Sequence, residues 1–208
     1  DFVRKTFGDA ALAAGGVLDI AGGRGAVSFE LHCKLRIPCT MVDPCEMHLR
    51  SGQRKYLRKN NAPMFPHLAV RLDSAFEESA EGKALLQRCT LLGLHPDEAT
   101  EAIVDAALKY GRPFAVLPCC VFPSAFPTRL LGDGSVVRSY KQFCTYLLEK
   151  APPGTIQMAR LPFAGKNRAL YRTLAPPDTP RRALPCLPCP AIDAAAPPAS
   201  SAQRPRRR

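Results

Sequence analysis

Seven short runs rich in β-branched and aromatic residues recur between helical patterns through the first 174 residues, and this alternation constrains the fold more than any other feature. The runs fall at 17–21 (VLDIA), 39–43 (CTMVD), 68–73 (LAVRLD), 89–94 (CTLLGL), 114–119 (FAVLPC), 155–162 (TIQMARLP) and 168–172 (RALYR). Helical patterns lie near 26–36, 46–59, 77–88, 97–109 and 136–150. Strands that alternate with helices make βαβ units, so helices should cover both faces of a mostly parallel sheet. The last two runs are joined by only Phe163–Asn167 with Gly165, too short for a parallel crossover, and should pair as an antiparallel hairpin. The expected class is α/β, a Rossmann-like, doubly wound, seven-stranded sheet ending in that hairpin. Asp97 should cap the helix that follows it, and Lys109 with Gly111 should stop it.

From Ala175 the chain changes to Pro, Ala and Arg, with nine of the 21 prolines and no periodic apolar face. Residues 175–208 are therefore expected to be a disordered tail, and 1–174 a single domain. The tail holds six arginines and two aspartates of a chain whose formal charge is +11, which leaves 23 basic against 16 acidic residues, or +7, in the domain. That balance favours an anionic partner. No apolar run approaches the roughly 18 residues of a membrane span, so a soluble protein with no membrane partner is expected. The absent initiator Met suggests residues upstream of Asp1, and no secretion signal is visible. Nine irregularly spaced cysteines, several in apolar segments, read as reduced buried thiols in an intracellular setting, cytoplasmic or nuclear. Cys186 and Cys189 form a lone CxxC with no second pair nearby, and no metal site is expected.

The stretch VLDIAGGRGAVSFEL leads from a strand through Gly22, Gly23 and Gly25 into an amphipathic helix. Such a turn leaves backbone amides bare and lets a ligand approach closely. The spacing is not GxGxxG, and the Gly-Lys-Ser/Thr of a phosphate loop is absent. Asp43 ends the next strand 24 residues after Asp19, as one βαβ unit requires, and a carboxylate there can accept two hydrogen bonds from a vicinal diol. Asp73, in VRLDSAF, ends the third run.

Asp19, Ala21, Gly23 and Gly25 resemble the D-x-G-x-G-x-G element of the class I S-adenosylmethionine-dependent methyltransferases, with Ala in place of the first Gly. The resemblance spans about residues 1–174 and implies the strand order 3-2-1-4-5-7-6. It implies S-adenosyl-L-methionine as cofactor, with Asp19, Ala21, Gly22, Gly23 and Gly25 forming the loop under its amino-acid part. Asp43 would hold the ribose hydroxyls, Asp73 would stand beside the adenine, and Phe76 would cover that ring.

Chemistry in such sheets lies beyond the carboxyl ends of strands four and five, which read GLHPDEAT and LPCCVFP. The Asn/Asp-Pro-Pro-aromatic motif of nucleobase amino-methylating members is absent. These ends instead look like those of a poorly characterised eukaryotic methyltransferase-domain branch related to a tRNA ribose 2′-O-methyltransferase. His95, before Pro96, can position a substrate or accept a proton, or serve as a capping histidine. Cys120 could act as the nucleophile of a 5-methylcytosine-type mechanism, although strand alternation through FAVLPCC should put Cys119 or Cys120 into the core. Arg50, Arg54, Lys55, Arg58 and Lys59 make one helix basic, while Arg138, Tyr140, Lys141, Lys166 and Asn167 offer another polar group near the hairpin. The expected activity is methyl transfer to RNA, tRNA included. The alternatives are a small-molecule or protein acceptor, or an inactive methyltransferase-like binding protein.

Overall fold

In the computed structural model, which describes residues 1–174, one seven-stranded sheet carries the fold in the order β3-β2-β1-β4-β5-β7-β6. Its strands are β1 (Val17–Ile20), β2 (Cys39–Val42), β3 (His67–Leu68), β4 (Thr90–Leu94), β5 (Phe114–Leu117), β6 (Gln157–Arg160) and β7 (Arg168–Arg172). The first five are parallel to one another, and β7 lies antiparallel between β5 and β6. The hairpin therefore closes an α/β, Rossmann-like sheet. The expected tail, with Cys186 and Cys189, lies outside the described residues.

Period-two alternation divides the core between the two faces of the sheet. Leu18 and Ile20 of β1, Leu91 of β4, and Phe114 and Val116 of β5 pack with Leu86, Ile103, Val104, Phe143 and Leu147 from the helices on one side. Val17, Leu92 and Ala115 point the other way, onto Leu12, Leu31 and Ile37. Those helices are α6 (Ala80–Arg88), α7 (Thr100–Lys109) and α8 (Tyr140–Glu149) on the first face. On the second are α1 (Phe2–Phe7), α2 (Asp9–Gly15) and α3 (Ala26–Ser28), which runs directly into a π-helical turn at Phe29–Lys34. Residues 1–16 pack on this face through Leu12, which is fully buried, with Phe2, Val3 and Phe7 against the same cluster.

Several boundaries differ from the sequence expectation for local reasons. The pattern near 46–59 becomes α4 (Ser51–Asn60), entered by a turn in which the Gln53 side chain accepts from Arg50 N–H at 2.8 Å. The pattern at 77–88 is two helices, α5 (Ser74–Glu78) and α6, broken at Ser79. Ser79 Oγ donates to Phe76 O and accepts from Gly82 N–H, ending one helix and capping the next. The helices meet so closely there that a Cβ at Gly82 would stand 1.8 Å from Phe76 O. β3 is the pair His67–Leu68 and keeps only Leu68 of its expected residues, because only Met41–His67 and Val42–Leu68 pair before Val70 N–H turns back to Leu68 O.

Asp97 does not cap α7. It lies in a 3-10 turn at Asp97–Ala99 with φ of +47°, and its carboxylate accepts from Cys119 instead. The far end of α7 follows expectation, with Lys109 in its last turn and Gly111 at φ +63° beyond it. β5 stops at Leu117, so alternation never reaches the two cysteines, and Cys119 and Cys120 are both half-buried rather than one being in the core. Cys39, Cys89 and Cys144 are buried free thiols, as their apolar settings suggested, and Cys33 is buried as well. Among the described residues no helix is long and apolar enough to cross a membrane.

Candidate functional site

The sheet changes direction of winding between β1 and β4, and a cleft of about 670 Å³ opens at the carboxyl ends of the strands there. This is where an open α/β sheet leaves a crevice, because the connections on either side of that point run to opposite faces. Ala21, Gly22, Gly23, Asp43, Asp73 and His95 all line it. Six of the expected site residues are thus brought together by elements far apart in the chain.

Asp19 lies beneath the loop rather than in the cleft. It is 1% exposed, and its Oδ2 accepts from Ser28 N–H at 3.1 Å and Ser28 Oγ at 2.7 Å, binding the strand to the helix that follows the glycines. Oδ1 has no partner. Burial pushes the carboxyl up to about 6, against the lowering effect of the Ser28 bonds and with a smaller push from Asp43. The folded chain then holds this proton more tightly than the unfolded chain. Its stabilising contribution is complete below the unfolded value of about 3.9 and is lost as pH rises through about 6. Asp19→Asn should therefore gain on the wild type between pH 4 and pH 7, by about 2–3 kcal/mol. Denaturant unfolding at both pH values measures this, and a constant difference would refute the assignment.

The loop itself is held by its backbone. Ala21 has φ of +54°, and its N–H donates to Val42 O at 2.8 Å. A glycine would adopt that conformation without strain, whereas an L-residue is penalised by about 1–2 kcal/mol. Set against the greater unfolded-state entropy of Gly, Ala21→Gly should stabilise the domain by about 0.5–1 kcal/mol, seen as a small rise in Tm. A lower Tm would show that the methyl makes a contact worth more than the strain. At Gly22 no side chain fits, since a Cβ would come within 2.7 Å of Met41 and 2.9 Å of Asp19 Oδ2. Gly23 is different, for a Cβ there meets nothing within 4 Å. Gly25 turns the chain at φ +62° against the Phe65 ring, which a Cβ would approach to 2.4 Å, and it does not line the cleft. Its conformation lets the helix begin close to β2.

Asp43 joins the two halves of this arrangement. Its Oδ2 accepts from Gly23 N–H at 2.8 Å and its Oδ1 from Cys45 N–H at 2.9 Å, while its carbonyl meets His67 Nε2 at 2.9 Å. Each carboxylate oxygen keeps further acceptor capacity. Asp73 lines the cleft and also caps α5, accepting from Phe76 N–H at 3.0 Å. Phe76 does not line the cleft. One turn into α5, it is 6% exposed and packs in the core, because the break at Ser79 directs that short helix's apolar side inward. The aromatic ring at the cleft is instead Phe122, with Val70, Leu72 and Leu94 as apolar neighbours. Its only sequence signal is its place in LPCCVFP, beyond strand five.

His95 is exposed at the cleft, and its backbone N–H donates to Leu117 O at 3.1 Å, tying the end of β4 to the end of β5. Cys120 does not line the cleft and neither does Cys119. Burial, reinforced by the contact with Asp97, pushes the Cys119 thiol up to about 12, the reverse of what a thiolate nucleophile requires. Among the described residues six non-glycines have positive φ, and four of them, Ala21, His95, Asp97 and Phe122, line this one cleft. Strain of this kind persists where the surroundings enforce it and gathers at functional sites.

In the polar group near the hairpin, Tyr140, Lys166 and Asn167 make contacts within the fold, while Arg138 and Lys141 are exposed. Tyr140 accepts from Arg168 N–H, with Lys166 and Arg168 over its ring, and Asn167 donates to Leu161 O and Phe163 O to close the turn. On α4, Arg50, Arg54, Lys55, Arg58 and Lys59 are all exposed, and none forms an ion pair among the described residues.

No protein-family model matches this chain. No curated protein matches it. Among solved structures, a crystal structure of a protein from Corynebacterium glutamicum is similar, with a TM-score of 0.45 and 14% identity over 80% of this chain and 76% of that one.

Proposed function

We propose that this protein is an S-adenosylmethionine-dependent methyltransferase acting on RNA. The observation that carries this reading is Asp43, whose carboxylate accepts from the Gly23 amide at the cleft while keeping acceptor capacity for a vicinal diol. The residues fit the group. A cleft of about 670 Å³ is of the size that holds a cofactor, Gly23 has open space where a side chain would stand, and Val70, Leu72 and Phe122 supply apolar surface for a flat base.

When bound, S-adenosylmethionine supplies an electrophilic methyl group on a sulfonium. Asp43 would hold the ribose hydroxyls, the Gly22–Gly23 backbone would lie along the amino-acid end, and Asp73 would stand at the base. His95, on the same cleft, would orient the acceptor or take its proton. The protein's contribution is chiefly orientation, since holding two reactants in line replaces a bimolecular encounter. RNA as the acceptor is supported by the +7 charge of the domain and by the exposed basic residues of α4, which suit a phosphate backbone.

Calorimetric titration with S-adenosylmethionine and S-adenosylhomocysteine tests the reading. Micromolar binding is expected, followed by transfer of labelled methyl to tRNA or total RNA that weakens as salt is raised. Folded protein that binds neither compound would overturn the enzyme reading and leave a binding protein of the same fold. Cofactor binding with transfer only to protein or small molecules would overturn RNA as the substrate.

A further inference from the structure

We propose that Cys119, Cys120 and Asp97 form a zinc site beside the cleft, independent of the methyltransferase reading. Cys119 and Cys120 come from the loop after β5, and Asp97 from the 3-10 turn after β4. Because β4 and β5 are adjacent strands, the two loops emerge side by side, and one ligand atom from each of the three residues lies within 4.8 Å of the others. The Cys119 thiol already donates to Asp97 Oδ1 at 2.8 Å.

Bond lengths of about 2.3 Å to sulfur and 2.0–2.2 Å to oxygen set tetrahedral edges of about 3.8 Å between two sulfurs and about 3.5 Å between sulfur and oxygen. The three atoms occupy a volume of that scale. Zinc insertion replaces the Cys119 thiol's hydrogen bond and needs the ligand atoms to shift by no more than about 1.3 Å relative to one another to reach those edges. Two thiolates and one carboxylate suit Zn²⁺ and exclude the hard cations Mg²⁺ and Ca²⁺. Three protein ligands leave a fourth position to water, the arrangement of an open rather than a closed zinc site.

The framework is anchored on both sides. His95 N–H holds the β4 loop to Leu117 O, and the Arg129 guanidinium donates to Val121 O at 2.8 Å immediately past the cysteines. Asp97 also lines the cleft, so the site borders the space where an acceptor would sit. Binding forms two zinc–sulfur bonds and one zinc–oxygen bond and releases two thiol protons to solvent, with no change of oxidation state.

The test uses the full chain, reduced and freed of metal, with Cys186→Ser and Cys189→Ser introduced to remove the only CxxC pair. Co²⁺ is the probe. One Co²⁺ per chain is expected, with thiolate charge-transfer absorption in the near ultraviolet and intense visible bands of tetrahedral type, displaced by one equivalent of Zn²⁺. Cys119→Ser, Cys120→Ser and Asp97→Asn should each weaken Zn²⁺ by at least about 100-fold, since even partners outside the ligand set are worth 10–100-fold. Cys45→Ser, an exposed thiol outside the cluster, should change nothing. Circular dichroism verifies that each variant is folded, and Asp97→Asn keeps the test decisive should a cysteine variant fail to fold. Absence of the cobalt spectrum, or a spectrum unchanged by all three substitutions, overturns the site. A chain that binds S-adenosylmethionine but no Zn²⁺ loses this site and keeps the preceding reading.

Discussion

Glu101→Ala should destabilise the domain by about 3–5 kcal/mol, because it leaves a buried guanidinium without its counter-charge. The Arg129 side chain is 4% exposed, lies against the rings of Phe126 and Phe143, and donates from Nε to Glu101 Oε2 at 2.6 Å. The same carboxylate accepts from Tyr146 at 2.5 Å and pairs with Lys150 at 2.7 Å. At about 2–4 °C per kcal/mol for a domain of this size, Tm should fall by roughly 6–20 °C. A loss below about 1 kcal/mol would mean that the group behaves as an exposed ion pair.

The pH dependence of this effect has a definite sign. Burial alone would raise the Glu101 carboxyl, but hydrogen bonds from Lys150, Tyr146 and Arg129 outweigh it and hold the group below its ordinary value. A depressed carboxyl stabilises above its unfolded pKa and loses that contribution as pH falls through the folded one. The gap between wild type and Glu101→Ala should therefore narrow in acid. Arg129 also fastens the chain at Val121, between Cys120 and Phe122, so the variant should loosen the loop that borders the cleft.

The second large effect concerns the proposed cofactor. Gly23→Arg should abolish S-adenosylmethionine binding, because the side chain would occupy the open space beside Gly23 at the cleft. Asp43→Ala should weaken it by about 1.5–3 kcal/mol, the worth of charge-assisted hydrogen bonds, or roughly 10–150-fold in Kd. Asp43 also holds Gly23 and Cys45 in place, so Asp43→Asn, which keeps a carbonyl acceptor, separates lost recognition from a disturbed loop. Unchanged affinity in Gly23→Arg and Asp43→Ala would remove the cofactor from this cleft.

How far each of these features could be read in advance depends on the range of the interactions behind it. The strands around Val17, Cys39 and Phe114 were legible because apolar runs bounded by turn residues express local preference and burial at once. The glycine loop and Asp43 were legible because one βαβ unit has a nearly constant length. Phe76 was not, since its direction follows from the helix break that Ser79 makes and from Gly82 packing on Phe76 O. Phe122 gave little signal for a related reason, as it sits on a loop that Arg129 pins from 28 residues beyond Glu101.

What the sequence by itself determined is the alternation of strand and helix, the terminal hairpin and the chemistry available at each strand end. Those features come from periodicity, turn residues and chain length, all local quantities. Only the tertiary structure decided which strand ends meet. The adjacency of β4 and β5 places Asp97 against Cys119, and the pairing of β1 with β2 places Gly23 on Asp43, because parallel pairing joins residues whose separation in the chain carries no local trace.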